Sequence, residues 1–192
     1  FQGVNVKGGS NAGGLVGYNY SEAISNSSAE GNVSANAPST FTGGLVGRNE
    51  YSKLSDVFAT GTVTGKDNVG GLVGLNQNSN IINANTAATS IVTASGNNVG
   101  GLIGNNYSTN SNTYSIKNSH ALGEVNANSS NNVGGLIGRN ENSNLGDVFA
   151  KGAVTGKDNV GGLVGLNLNG NITNANTAAT SIVTASGNHV GG

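Results

Sequence analysis

The segment Gly70-Gly71-Leu72-Val73-Gly74-Leu75-Asn76 is one copy of the pattern that decides how this chain folds. The pentapeptide Gly-Gly-Leu-Val/Ile-Gly occurs six times in the 192 residues, at spacings of 27 to 34 residues, and a seventh copy begins at Gly191. Each complete copy is followed by one variable residue and then by an asparagine. Self-similarity at such a period is typical of repeat architectures, in which each unit is one supersecondary element.

Further positions recur in register after each asparagine. An aliphatic residue comes first and a small residue second. A β-branched residue follows four or five positions after the small residue. These sets are Ile24, Leu54, Ile81, Ile116, Leu145 and Ile172; Ala29, Ala59, Thr86, Ala121, Ala150 and Thr177; and Val33, Val63, Ile91, Val125, Val154 and Ile182. Residues 49–101 also match residues 140–192 with 44 identities in 53 positions, so three units form a duplicated block.

The local pattern favours β-strands over helices. No segment keeps a 3.6-residue apolar period, and Asn, Gly, Ser, Thr and Val are poor helix formers. Short stretches such as residues 59–64 alternate with period 2, which places successive side chains on opposite faces of a strand. We therefore predict three short strands per unit: one on the glycine motif, one centred on the aliphatic residue and one ending at the β-branched residue.

Such strands cannot bury a face alone, but stacking the units about 4.8 Å apart pairs each strand with its copies. The prediction is an all-β, single-stranded β-solenoid, right-handed, of about six coils that begin near residues 13, 43, 70, 100, 134 and 161. It forms one continuous repeat region over residues 1–192. The interior leucine ladder would be Leu15, Leu45, Leu72, Leu102, Leu136 and Leu163.

The asparagines are predicted to form a second ladder, at a corner of the coil. Asparagine tolerates left-handed backbone geometry, and stacked asparagine amides can bond from rung to rung. This structural ladder would be Asn19, Asn49, Asn76, Asn106, Asn140 and Asn167.

The residue after each leucine has two interpretations. Strict alternation would point it outward and create an apolar contact stripe along the rod, whereas a bend at the glycines would turn both residues inward. The stripe would consist of Val16, Val46, Val73, Ile103, Ile137 and Val164.

Composition restricts the function classes. Only 9% of residues are charged and the net charge is -1, which argues against binding to nucleic acid or to an anionic membrane surface. No apolar run approaches the roughly 18–20 residues that span a bilayer, so no membrane insertion is expected. The chain has no Cys, which removes any disulfide framework. It starts at Phe1 without an initiator Met, and we expect an excerpt or a processed product.

Catalytic, cofactor and metal sites are expected to be absent. The two histidines, His120 and His189, lie far apart in the sequence, and His189 occupies the repeat position of Asn98. Asp56 and Asp147 share a repeat position three coils apart, about 14 Å at the strand spacing, whereas paired-carboxylate chemistry needs roughly 5–10 Å. Asp67 and Asp158 share another position, and the segment around Asp67 is interpreted as a turn rather than a calcium loop.

The motif Gly-Gly-Leu-Val-Gly-x-Asn, preceded by Asn-Val as at Asn68-Val69 and Asn159-Val160, resembles the GLUG repeat. The stretch from Asp56 to Gly65 resembles the second half of the same unit. This resemblance covers essentially the whole chain. It implies a stalk or spacer of large bacterial surface and secreted proteins, including filamentous-haemagglutinin-like adhesins, and it transfers no catalytic residue.

We therefore expect a non-enzymatic structural module of a rod or fibre at the bacterial cell surface. Its partners would be flanking repeats or further copies, stacked end to end or packed laterally. Three alternatives stay open. One is an enzyme, a solenoid polysaccharide lyase or hydrolase, although the sequence has no cluster of acidic or basic residues in adjacent rungs. An adhesin could bind a glycan or a host protein through the loops 105–112 or 126–132, and regular threonine rows could bind ice.

Overall fold

The computed structural model describes residues 3–36, 41–110, 113–178 and 181–192. In these segments every regular element is a β-strand. The strands up to the third coil are β1 (Val4–Gly8), β2 (Asn11–Gly13), β3 (Val16–Tyr20), β4 (Ile24–Ala35), β5 (Phe41–Gly43), β6 (Val46–Glu50), β7 (Lys53–Thr60), β8 (Thr62–Gly65), β9 (Val69–Gly70), β10 (Val73–Gln77), β11 (Asn80–Thr86) and β12 (Ile91–Ala94). The remaining strands are β13 (Val99–Gly100), β14 (Ile103–Tyr107), β15 (Ser115–Ala121), β16 (Glu124–Asn126), β17 (Asn131–Gly134), β18 (Ile137–Glu141), β19 (Asn144–Ala150), β20 (Val154–Gly156), β21 (Asp158–Gly161), β22 (Val164–Leu168), β23 (Ile172–Thr177), β24 (Val183–Ala185) and β25 (Val190–Gly191).

These strands form three sheets that run along the stack. Sheet I contains β2, β5, β9, β13, β17, β21 and β25, and sheet II contains β3, β6, β10, β14, β18 and β22. Sheet III has 12 strands in two halves that meet in the long strand β4. One half continues through β7, β11, β15, β19 and β23, and the other through β8, β12, β16, β20 and β24, with β1 beyond β4.

Every strand pair is parallel, and equivalent repeat positions face each other. Asn76 pairs with Asn49 on one side and with Asn106 on the other, and Val69 and Val99 pair in the same way. The predicted all-β solenoid of about six turns, with three strands per coil, is confirmed. The structure adds a short strand of two to four residues in sheet I, which ends at the first glycine of each motif.

The coil encloses two apolar columns instead of one core. The first lies between sheet II and the first half of sheet III and contains the leucine ladder and the aliphatic set. The second lies between sheet I and the other half of sheet III and contains Val63, Val69, Val92 and Val99 with their equivalents. Only small residues fit in the waist between the columns: a Cβ on Gly44 would lie 2.1 Å from the carbonyl oxygen of Gly71 and 3.1 Å from the Cβ of Ala59.

The predicted set of β-branched residues is wrong in two coils. Ile91 and Ile182 are exposed, and Val92 and Val183 point inward in their place. Val92 pairs with Val63, because a turn in which Ser90 N–H donates to Ala87 C=O at 3.1 Å takes up two extra residues in that coil. A register error of one residue reverses the face of every side chain in a strand, which explains why the isoleucines were misplaced.

Candidate functional site

The asparagine ladder is a buried column of amides inside sheet II. Each side-chain Nδ2 donates to the Oδ1 of the next coil: Asn19 to Asn49 at 2.8 Å, Asn49 to Asn76 at 2.9 Å, Asn76 to Asn106 at 2.8 Å, Asn106 to Asn140 at 2.7 Å and Asn140 to Asn167 at 2.8 Å. The five that precede Asn167 are at most 8% exposed, and Asn167 itself is exposed. The column is a polar spine that runs beside the apolar columns of the interior.

The second donor hydrogen of these amides holds the following turn. Asn76 Nδ2 donates to the carbonyl oxygen of Ser79 at 3.0 Å, and Asn140 Nδ2 donates to that of Ser143 at 2.9 Å. Asn76 and Asn140 thus each donate to the next coil and to their own turn while they accept from the previous coil. A buried amide with these partners stabilises the fold and leaves little capacity to bind a ligand.

The expected left-handed corner is not at the ladder itself. None of the ladder asparagines has a positive φ, because they lie within strands. The left-handed residues come two positions later: Ser21, Tyr51, Asn78, Asn142 and Asn169. Two more left-handed columns occur, at Asn26, Asp56, Asn83, Asn118, Asp147 and Asn174, and at Asn68, Asn98, Asn132, Asn159 and His189.

The leucine ladder lies in the first apolar column, as its spacing indicates. Leu45, Leu72, Leu102 and Leu136 are fully buried, whereas Leu15 is 45% exposed and Leu163 is half-buried. These two leucines belong to the outermost coils, where the described structure has a neighbouring rung on one side only.

The apolar contact stripe is not formed, and of the two interpretations the inward one agrees with the structure. Val46, Val73, Ile103 and Ile137 are fully buried in the same column as the leucines, and Val16 and Val164 pack against it. The chain bends at the second glycine and the leucine, which resets the alternation. Leucine and the next residue even share an acceptor: N–H of Leu45 and of Val46 both donate to Leu72 C=O, at 2.9 and 3.0 Å.

The sequence interpretation missed two ladders. The valine before the glycine pair was seen only as a family feature, yet Val69, Val99, Val133 and Val160 form half of the second apolar column. The asparagine before that valine forms an outer amide ladder, with Asn98 donating to Asn68 at 3.0 Å and Asn132 to Asn98 at 2.9 Å. The recurrence of Asn-Val-Gly-Gly at repeat spacing was the signal that could have identified both.

A cluster of exposed aromatic side chains lies on the outer side of the first two coils. We call Tyr18, Tyr20 and Tyr51 the tyrosine patch; they are 47%, 56% and 49% exposed. Tyr18 donates to Glu50 Oε2 at 2.8 Å, and Arg48 Nε donates to Glu50 Oε1 at 2.7 Å. The hydrogen bond to Glu50 raises the pKa of the Tyr18 hydroxyl above its usual value, and partial desolvation adds to this effect.

Three stretches of the chain match the family model of the GLUG motif: residues 8–34, 42–64 and 129–155. This chain contains GLUG motifs. The matched stretches lie in the first, second and fifth coils, and the other coils have equivalent strands in the same sheets. No curated protein and no solved structure matches the chain.

The acidic side chains of the GLUG coils act as hydrogen-bond acceptors between rungs. Asp56 Oδ1 accepts from Asn83 at 2.9 Å and Asp147 Oδ1 from Asn174 at 3.1 Å. Asp67 Oδ1 accepts the backbone N–H of Asn97, and Asp158 Oδ1 that of Asn188, both at 2.7 Å. Within the described residues, no three His, Cys, Asp or Glu side chains are grouped as metal ligands would be.

The two histidines have different surroundings. The ring of His120 contacts that of Phe149 edge-on at 6.1 Å on the outer face of sheet III. His189 has a φ of 59°, close to the 61° of Asn98 at the equivalent position, so it takes over the left-handed geometry of that asparagine.

The structure describes all of the loop 126–132 and part of the loop 105–112. Residues 111 and 112 of the loop 105–112 lie outside the described residues, and in the loop 126–132 Asn132 belongs to the outer amide ladder. One column of sheet III has threonine in four of its six positions, Ser34-Thr64-Thr93-Asn126-Thr155-Thr184, so its threonine row is interrupted. The described segments contain no helix with the length and hydropathy of a membrane span.

Proposed function

We propose that this chain is a rod or fibre segment of an extracellular bacterial surface protein and has no enzymatic activity of its own. The observation that supports this proposal is the register of the stack. Each coil presents the same residues to the coil before it and the coil after it, as Asn76 does to Asn49 and Asn106. A unit that binds its own copies on both faces is suited to build length, with a rise of about 4.8 Å per coil.

The interior supports a mechanical role along the axis. Backbone hydrogen bonds, the amide spine and two apolar columns all run in the direction of the stack. Six rungs at that spacing give a rod about 30 Å long. A load along the rod would therefore act on many parallel contacts at once.

The proposed extracellular setting is supported by the GLUG motifs and by the outer surface. The outward residues are mostly Asn, Ser and Thr, and charged residues make up 9% of the chain. Such a surface is well hydrated and has no strong electrostatic potential of one sign. A spacer with this surface would not bind charged polymers non-specifically.

The non-enzymatic role is supported by the use of the carboxylates. Asp56, Asp67, Asp147 and Asp158 each accept a hydrogen bond from the next coil. Glu50 accepts from Tyr18 and Arg48. These acids are engaged in holding rungs together, and a general acid or base would need a free orientation toward a substrate.

Partners are proposed to be further coils, either from the same chain or from another copy. Leu15 and Ile172 belong to the apolar ladders but lie on the outermost described coils, where they are 45% and 39% exposed. A further coil at each end of the stack would cover these residues and pair with the open strand edges of β3 and β23.

Negative-stain microscopy tests this proposal. We expect fibres of uniform width that lengthen with protein concentration, because copies would stack end to end. A single chain is only about 30 Å long, so particles that stay at that size at every concentration would contradict end-to-end stacking. Measurable cleavage of a soluble polysaccharide by the purified chain, lost on substitution of Asp67 or Asp158, would contradict the non-enzymatic role.

A further inference from the structure

Tyr51 occupies a backbone position that does not suit it. The equivalent residues in the other coils with this left-handed turn are Ser21, Asn78, Asn142 and Asn169, whereas Tyr51 has a φ of 51°. A bulky side chain is unfavourable in that region, and asparagine is among the non-glycine residues that tolerate it best. The ring is 49% exposed, so core burial does not offset the strain. Backbone strain at an exposed aromatic residue points to a role outside folding.

The ring of Tyr51 belongs to a continuous aromatic surface. It meets Tyr20 edge-on at a centroid distance of 5.7 Å and an interplanar angle of 70°. Tyr20 is tilted by 60° against Tyr18 at 6.2 Å. Each ring is about half exposed, so the three form a ridge that crosses from the first coil to the second. Exposed aromatic surfaces of this kind usually mark an interaction site.

The polar groups beneath the ridge are preorganised and electrically balanced. Glu50 is only 4% exposed and is held by Tyr18 and Arg48. The guanidinium group of Arg48 lies 5.1 Å from the ring centroid of Tyr18 and 5.5 Å from that of Phe41. The ion pair fixes Tyr18 in place and leaves no net charge under the ridge.

This balance selects the class of ligand. Binding of nucleic acid or of an acidic polymer needs several unpaired cations, and the cation nearest to the ridge is neutralised by Glu50. A neutral polysaccharide has apolar C–H faces that stack on aromatic rings, and hydroxyl groups that bond to phenol oxygens. We propose that the tyrosine patch binds a neutral polysaccharide, with Tyr20 and Tyr51 as the stacking platform and Tyr18 as an oriented hydrogen-bonding edge.

The fourth and fifth coils contain the same surface with one ring of the three, because Tyr107 pairs with Glu141 as Tyr20 pairs with Glu50. Arg139 and Glu141 repeat the ion pair at 2.6 Å, and Asn105 and Asn142 stand where the patch has Tyr18 and Tyr51. Asn142 has a φ of 52°, almost the same as Tyr51. The double substitution Tyr18→Asn with Tyr51→Asn therefore copies a surface that the fold already accommodates.

Native gel electrophoresis of the full chain tests the proposal. The gels contain hydroxyethyl cellulose, galactomannan or the acidic polymer polygalacturonate, and one gel contains no polymer. We expect a neutral polymer to retard the wild-type chain. The Y18N/Y51N variant should need at least tenfold more polymer for the same retardation, while its far-UV circular dichroism stays unchanged. Tyr107→Ala, which removes the repeat equivalent of Tyr20 from a surface that lacks the other two rings, should migrate like the wild type.

Three results would overturn the site. These are migration unaffected by both neutral polymers, equal retardation of Y18N/Y51N and wild type, or stronger retardation by polygalacturonate than by the neutral polymers. None of them bears on the proposed rod, because the rod depends on interior ladders that these substitutions do not touch.

Discussion

At the residue scale, the ladder asparagines show how a polar group becomes part of an interior. Asn76 is fully buried, yet its amide accepts from Asn49 and donates to Asn106 and Ser79. A hydrogen bond in a buried site contributes modestly, but a buried group left without its partner costs about 1–3 kcal/mol. The column therefore specifies register more strongly than it adds stability, because a coil shifted by one residue would leave several amides unpaired.

Replacing Asn76 by Asp should destabilise the stack. The carboxylate can still accept from Asn49, but the oxygen atoms of Asn106 and Ser79 lose their donor and face a buried charge. We expect the free energy of unfolding to fall by about 3 kcal/mol or more at pH 7. Urea unfolding followed by circular dichroism measures this change.

Two comparisons make the Asn76→Asp result specific. Burial would raise the pKa of the new carboxyl, so the loss should be largest above that pKa and should shrink as the pH falls through it. The same change at Asn167, which is exposed, should have a much smaller effect. Equal losses at both positions, or no dependence on pH, would contradict a buried amide spine.

Tyr51→Asn should stabilise the chain, since it relieves a left-handed tyrosine. We expect a gain of about 1 kcal/mol, because the left-handed region costs most L-residues roughly 1–2 kcal/mol and asparagine less. The reciprocal change Asn142→Tyr should cost a similar amount at a φ of 52°. Opposite shifts of the two urea midpoints would support this reasoning, whereas shifts in the same direction would refute it.

At the element scale, the glycine motif makes a bend rather than one strand. The first glycine ends a sheet I strand, the second glycine and the leucine turn the corner, and the following residue starts a sheet II strand. Both apolar residues of the motif can then point inward, although neighbouring residues of one strand cannot. The bend also brings two backbones so close that the waist of the coil has no room for a Cβ.

Gly44→Ala should therefore damage the fold severely. The new Cβ would lie 2.1 Å from the carbonyl oxygen of Gly71, which is backbone and cannot rotate away. We expect a loss of about 3 kcal/mol or more, at the upper end of overpacking effects. Thermal unfolding followed by circular dichroism is the measurement.

Gly146→Ala is the matched control for Gly44→Ala. A Cβ at Gly146 would meet only Thr173 Oγ1 at 3.6 Å and Lys117 Cγ at 3.9 Å, which are ordinary contacts. This variant should be neutral or more stable by a few tenths of a kcal/mol, because alanine restricts the unfolded chain. If both variants unfolded at the same temperature, the close packing of the waist would not be what requires the glycine.

At the scale of the whole molecule, the solenoid is quasi-one-dimensional. Each coil contacts the coils next to it, so stability is a sum over coils and their interfaces. The 91-residue offset of the duplicated block makes this property testable, because Arg48 and Arg139 occupy the same position in their coils.

Deleting residues 49–139, which joins Arg48 to Asn140, should leave a shorter but folded rod. The urea dependence of the unfolding free energy scales with the surface exposed, so it should fall to about half of the full-length value. Deleting residues 49–130 instead joins Arg48 to Asn131 and breaks the sheet II strand, and this variant should not fold. An unfolded in-register deletion would contradict additive coils.

The sequence by itself determined the periodic part of this protein: the strand-rich coil, its length, the stacking of equivalent residues, and the leucine and asparagine ladders. Those features follow from local propensity and from repetition, both of which can be read along one chain. The sequence left the direction of Val46 open, misplaced Ile91, and did not predict the second apolar column around Val69.

Only the tertiary structure decided those points. The direction of Val46 depends on a bend that close packing of Gly44 against the next coil imposes. The register of Ile91 depends on how many residues a turn takes up before the strand begins. The tyrosine patch joins residues about 30 positions apart, which meet only because one coil stacks on the next. Contacts across the stack depend on the path of the whole coil. The pattern of neighbouring residues in the sequence does not determine that path.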